Sequence, residues 1–129
     1  SGVQIATRFV ATEECDADIK YKEAYIKASK EDIELVQSPV GMPGRAIRNK
    51  FINEVEKRKE QGLKGTNEKC LGCIKTCNPI ETPYCITRAL INAVKGDIDN
   101  ALLFVGSNAY RINKITTVHN LMMELAGEN

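Results

Sequence analysis

The run "GVQIATRFV", residues 2–10, constrains the fold more than any other stretch of this chain. It is almost continuously apolar and rich in β-branched residues, the pattern of a strand covered on both faces. A strand of that kind needs neighbours on both sides, as in a parallel sheet. The sequence offers no earlier element to pair with it, so the expectation is a segment of a larger sheet protein.

Beyond this run the pattern turns helical. "DADIKYKEAYIKASKED" reads as a helix capped by Asp16 or Asp18, with Ile19, Tyr21, Ala24, Tyr25 and Ala28 as its apolar stripe. "IELVQSP" alternates like a short strand that stops at Pro39, and "VGMPG" is a turn. A charged helix is expected over 45–61, with Ile47, Phe51, Ile52 and Val55 inward. Another is expected over 83–95, with Thr82 as cap and Pro83 in the first helical position, where a missing N–H costs nothing. Ile86, Ala89, Leu90, Ala93 and Val94 keep helical spacing there. A last helix over 117–126 carries Val118, Leu121, Met122 and Leu125. Leu90, Val94, Leu121 and Leu125 are expected to be buried together. "NALLFVGSNAYRI" is apolar and ambiguous between helix and strand. The fold class is therefore mostly α with two or three short strands (α+β).

At 129 residues, 43% apolar and 27% charged, the chain has the composition of one ordinary globular domain. Its 18 basic and 17 acidic side chains leave a net charge of +1, which excludes the basic footprint of a nucleic-acid or anionic-membrane binder. No run approaches the ~20 apolar residues that span a bilayer. The start lacks the basic and apolar regions of a signal peptide. A cytoplasmic location is the expectation.

In such a compartment thiols stay reduced, and clustered cysteines read as metal-binding or catalytic. Four of the five cysteines fall in "KCLGCIKTCNPIETPYCI" as C-x2-C-x3-C-x7-C: Cys70, Cys73, Cys77 and Cys85. Thiolates are the soft ligands that zinc and iron–sulfur clusters select. The turn-rich "NPIETP" allows the chain to swing Cys85 back toward the others. Zinc sites more often show two C-x2-C knuckles separated by a longer span, so the compact spacing favours a 4Fe–4S cluster over zinc. Free or oxidised thiols remain the plain alternative, and Cys15 stands apart. His119, the single histidine, has no acid or nucleophile at a telling spacing and reads as a surface or packing residue. "GDIDN" lacks the glycine and distal glutamate of a calcium loop and reads as a helix-end turn.

Three segments in order carry a resemblance. Gly2, Val3, Gln4, Thr7, Arg8, Phe9, Thr12, Glu14, Tyr21, Lys22 and Glu23 match the last barrel strand, and following helix, of the nitronate monooxygenase (2-nitropropane dioxygenase) family. "GMPGRAIRNKF" resembles that family's G-x-P-x-R-x-I-x-N segment through Gly41, Pro43, Arg45, Ile47 and Asn49. "GDIDNALLFVG" resembles its closing G-D-x-D-x-G-L-x-x-x-G stretch. Flavin-type enoyl-acyl-carrier-protein reductases share the first region.

The resemblance implies the C-terminal segment of an FMN-binding (β/α)8 barrel. Residues 1–30 would be the last barrel strand with its helix, and residues 31–129 a C-terminal helical segment carrying the cysteines, in one domain. It further implies a parent FMN-dependent oxidoreductase acting on a small molecule. That molecule would be a nitronate oxidised through flavin and oxygen, or alternatively an enoyl thioester reduced by an enzyme with an iron–sulfur centre. A metal-stapled helical interaction module is the remaining alternative. Gln4, Ile5, Ala6 and Thr7 would border the FMN phosphate, with Ala6 standing where the family has glycine. The family's catalytic histidine lies upstream, so no catalytic residue is assigned within this chain and the chain alone is expected to be inactive. The exposed N-terminal strand suggests a homo-oligomer, and neither nucleic acid nor membrane is implied as a partner. The cysteine pattern departs from typical members and looks more like the cluster segment of dienoyl-CoA-reductase-type flavoenzymes.

Overall fold

The computed structural model describes residues 2–66 and 68–128. Among these residues five α-helices and two strands follow in chain order: α1 (Thr7–Val10), α2 (Ile19–Lys27), β1 (Ile33–Val36), β2 (Gly44–Ile47), α3 (Lys50–Glu60), α4 (Ile86–Val94) and α5 (Val118–Ala126). Three 3-10 turns lie between them, at Lys30–Asp32, Ile98–Asn100 and Ala109–Arg111. The architecture is mostly helical with a small sheet, as the composition and periodicity predict. No helix among the described residues is long and apolar enough to cross a membrane.

Local chemistry explains most element ends. The Asp18 carboxylate accepts from the Lys20 amide at 2.9 Å and starts α2. The Thr117 hydroxyl accepts from the Asn120 amide at 3.1 Å and starts α5, while the Glu14 carboxylate accepts from the Val118 amide at 2.9 Å. Gly96 closes α4 at φ +83°, where a Cβ would run into the Asp18 carboxylate. The "GDIDN" segment is indeed a helix-end turn, with the Asn100 amide donating to Asp97 at 3.0 Å.

Three expectations are corrected. Thr7–Val10 is a helical turn rather than a strand. β1 and β2 pair with each other and offer this segment no partner, so its backbone bonds locally, Phe9 N–H to the Ala6 carbonyl at 2.9 Å. Among the described residues, strand-like pairing near this segment is limited to the parallel bridge between Thr12 and Thr116. The expected route to a homo-oligomer through an exposed strand over 3–10 accordingly loses its strand.

The second correction concerns 45–47, which belong to β2 and not to a helix. The antiparallel register sets Ile33 opposite Ile47 and Val36 opposite Gly44. On its other side β2 receives the ambiguous 101–105 segment: Ile47 N–H bonds Leu103 O at 3.0 Å, and Val105 N–H bonds Arg45 O at 2.9 Å. Helix α3 then waits for Asn49. Its side-chain oxygen accepts from the Ile52 amide at 3.1 Å, and its nitrogen donates to the Ile98 and Ala101 carbonyls at 2.9 and 2.7 Å.

The third correction concerns α4. Tyr84 is buried, edge-on to Phe51 with ring centroids 5.1 Å apart. Its hydroxyl donates to the Gln37 carbonyl at 3.0 Å. That anchoring holds a bend at 83–84 and leaves Cys85 extended, so α4 starts after Cys85 and the Thr82 hydroxyl serves the turn below by donating to Asn78 O at 2.8 Å. The helix turns Ala89 and Ala93 inward, whereas Leu90 and Val94 are 38% and 53% exposed. The cause is close approach: Leu102 N–H reaches the Ala89 carbonyl at 3.2 Å, and only small side chains leave room for that. Of the four leucine and valine positions expected to pack together, Leu121 alone is fully buried.

The extended 101–103 segment joins the two halves of the core. Ala101 and Leu103 face a cluster with Ala11, Tyr25, Ile47 and Ala93, while Leu102 faces Ala46, Ile52, Tyr84 and Ala89. This is the two-residue alternation of an extended chain between two packed layers.

Candidate functional site

Gln4, Ile5, Ala6 and Thr7 lie together on the wall of an open depression of about 1290 Å³, facing Gly106, Ser107 and Asn108. The Thr7 hydroxyl accepts from the Gly106 amide at 2.9 Å and ties the two rims together. Among the described residues no acceptor takes the amides of Gln4, Ile5 or Ala6, and Gln4 and Ala6 are exposed. Free backbone N–H groups at a concave rim are the donors an anionic oxygen needs. Ala6 has φ −125°, ordinary for any L-residue, so the methyl group in place of glycine costs no backbone strain.

Charged side chains of both signs, which sequence reasoning missed here, line the same depression: Arg8, Arg111 and Lys114 with Glu124 and Glu128, beside the exposed His119. Arg8 is engaged in a two-bond pair with Glu124 at 2.7 and 2.8 Å. The Arg8 guanidinium holds the Glu124 carboxyl below the usual carboxylate range. Only the grouping of 106–124 with the N-terminal segment in space marks these residues, and no local motif announces it.

The cysteines occupy a different place. Cys70, Cys73, Cys77 and Cys85 all line one cavity of about 370 Å³, with Val40, Ile74, Tyr84 and Ile86 among its apolar walls. All five cysteines are free thiols; Cys70, Cys73 and Cys77 are exposed and Cys85 is half-buried. Among the described residues no three Cys, His, Asp or Glu side chains converge as a ready set for a single metal ion. The turn at 78–82 that folds the segment back is held by Asn78, whose carbonyl accepts from the Glu81 and Thr82 amides at 3.1 and 3.0 Å.

A mixed unit of helices around a two-stranded sheet, with the N-terminal segment on one wall of an open depression, is thus the class that the fold defines. The chain belongs to the nitronate monooxygenase family, whose model matches residues 1–128. In fold it is similar to FabK from Thermotoga maritima, with 24% identity and a TM-score of 0.71 over 99% of this chain and 36% of that one. A mutant form of that FabK aligns at 26% identity and a TM-score of 0.68, over 98% of this chain and 32% of the other. The chain thus spans about a third of the length of these solved relatives. No curated protein matches it.

Proposed function

We propose that this chain is the C-terminal part of an FMN-dependent (β/α)8-barrel oxidoreductase and supplies one rim of the flavin phosphate site. The observation that carries this reading is the set of amides at Gln4, Ile5 and Ala6 that meet no acceptor among the described residues, beside Thr7 and sharing one depression with Gly106. In this role the amides of 4–6 donate to phosphate oxygens, and the Thr7–Gly106 bond keeps the two rims at a fixed separation. Lys114 and Arg111 add positive potential around a dianion. FMN, when bound, would supply the hydride and electron chemistry that no side chain of this unit can perform.

For the reaction we infer oxidation of a nitronate through flavin and oxygen, supported by the family to which the chain belongs. The similarity to FabK favours a second reading, reduction of an enoyl thioester of the kind flavin-type enoyl-acyl-carrier-protein reductases handle. Two assays on the protein carrying its barrel strands separate them. Oxygen consumption with propyl-2-nitronate supports the first, and oxidation of a nicotinamide donor with crotonyl thioester supports the second. Titrating FMN into the 129-residue chain is expected to give no saturable binding, because one phosphate rim offsets little of the cost of immobilising a ligand. Micromolar binding would place the whole flavin site within the chain and overturn the shared-site reading.

A further inference from the structure

We propose that Cys70, Cys73, Cys77 and Cys85 are the four ligands of a single iron–sulfur cluster of the four-iron type, seated in the cavity they share. The proposal stands apart from the flavin reading, since none of these residues lines the Gln4–Thr7 depression.

The first support is convergence. Sixteen positions of chain, with an Asn78-centred turn in their middle, fold so that all four cysteines are lining residues of one cavity of about 370 Å³. Cys15, the fifth, does not line this cavity.

The second support is the knuckle at 70–73. Gly72 takes φ +65°, a left-handed conformation that bends the C-x2-C step sharply. Its amide thereby donates to the Cys70 sulfur at 3.3 Å. An N–H aimed at sulfur stabilises a thiolate, and such bonds tune iron–sulfur centres. At the other end, Cys85 is the N-cap residue of the nine-residue α4, and no side chain caps the first turn of that helix. The positive end of α4 therefore faces the side from which a thiolate-bound, negatively charged group would approach.

The third support is that the frame around the cavity is tied down, while the compact C-x2-C-x3-C-x7-C spacing favours a four-iron core over a single zinc, whose sites more often show two separated C-x2-C knuckles. Thr66 N–H bonds Pro79 O at 3.0 Å, and Arg88 on α4 donates to Lys69 O at 2.8 Å.

The test is anaerobic reconstitution of the purified chain with ferrous iron and sulfide, followed by desalting. Iron, acid-labile sulfide and zinc are measured, with electron paramagnetic resonance after dithionite reduction. The expected result is about four irons and about four sulfides per chain, with a signal from the reduced cluster. Cys70→Ser, Cys73→Ser and Cys77→Ser should each lose most of that iron, and Cys15→Ser should retain it. The three ligand positions are exposed, so the variants should keep the wild-type circular dichroism. Retention of one zinc without sulfide, no uptake of either metal, or full iron content in Cys77→Ser would each overturn the proposal. Because no readout involves flavin, failure here leaves the FMN reading untouched, and failure to bind FMN leaves this one untouched.

Discussion

The Thr7 hydroxyl accepts a hydrogen bond from the Gly106 amide at 2.9 Å, across 99 positions of sequence. It joins the first family segment to the last, and a Cβ on residue 106 would already stand 3.1 Å from that hydroxyl. The pair sets the width of the proposed phosphate rim. Thr7→Val keeps the shape but removes the acceptor, and is expected to cost about 0.5–1.5 kcal/mol in urea unfolding. Thr7→Ser should retain the bond and most of that stability. An unchanged midpoint in Thr7→Val would mean that water replaces the hydroxyl without loss.

Asn49 does two jobs with one amide, capping α3 and holding the 98–101 turn. Asn49→Ala should lose about 2–3 kcal/mol, a cap of about 1 together with carbonyls left without a donor. Asn49→Asp keeps the acceptor for Ile52 and loses both donations, so it should fall between wild type and alanine. Equal stability of Asp and Asn at this position would show that the two carbonyl contacts contribute nothing.

Leu102 and Leu90 provide a paired test of the core. Leu102 is 1% exposed between the packed layers, and Leu102→Ala should cost about 2–5 kcal/mol. Leu90 sits 38% exposed on α4, and Leu90→Ala should cost within about 0.5–1 kcal/mol. Equilibrium denaturation of the two variants decides this, and the reverse order would put the other face of α4 in the core.

Burial pushes the Tyr84 hydroxyl up to about 12, from an ordinary value near 10. The folded protein therefore holds that proton where the unfolded chain has lost it. The resulting stability is fully present below about pH 10 and is lost as pH rises toward about 12. Tyr84→Phe removes this linkage, so its unfolding free energy should fall less steeply than wild type over that window. Parallel slopes for the two proteins would mean that the hydroxyl meets solvent in the folded state. Tyr25, also raised by burial, keeps a similar dependence in both proteins and serves as the internal background.

What the sequence determined by itself is everything that rests on near neighbours. Asp18 and Thr117 start their helices with their own side chains, Gly96 ends one with a backbone only glycine adopts easily, and Ile33–Val36 forms the short strand that its run reads as. The four cysteines and the three family segments were equally readable, because their signal is spacing along the chain. Tertiary structure decided the rest. Whether residues 7–10 are strand or helix depends on a partner strand, which a sequence pattern cannot supply. The burial of Ala89 and Ala93 over Leu90 and Val94 depends on how closely 101–103 approaches α4, and hydrophobic spacing alone favours the larger side chains. The extended form of 101–105 exists because β2 offers it hydrogen bonds from the other side. The charged rim at 106–124 meets Gln4–Thr7 across one depression only once the chain has folded back on its own beginning, a long-range contact that leaves no mark in either segment.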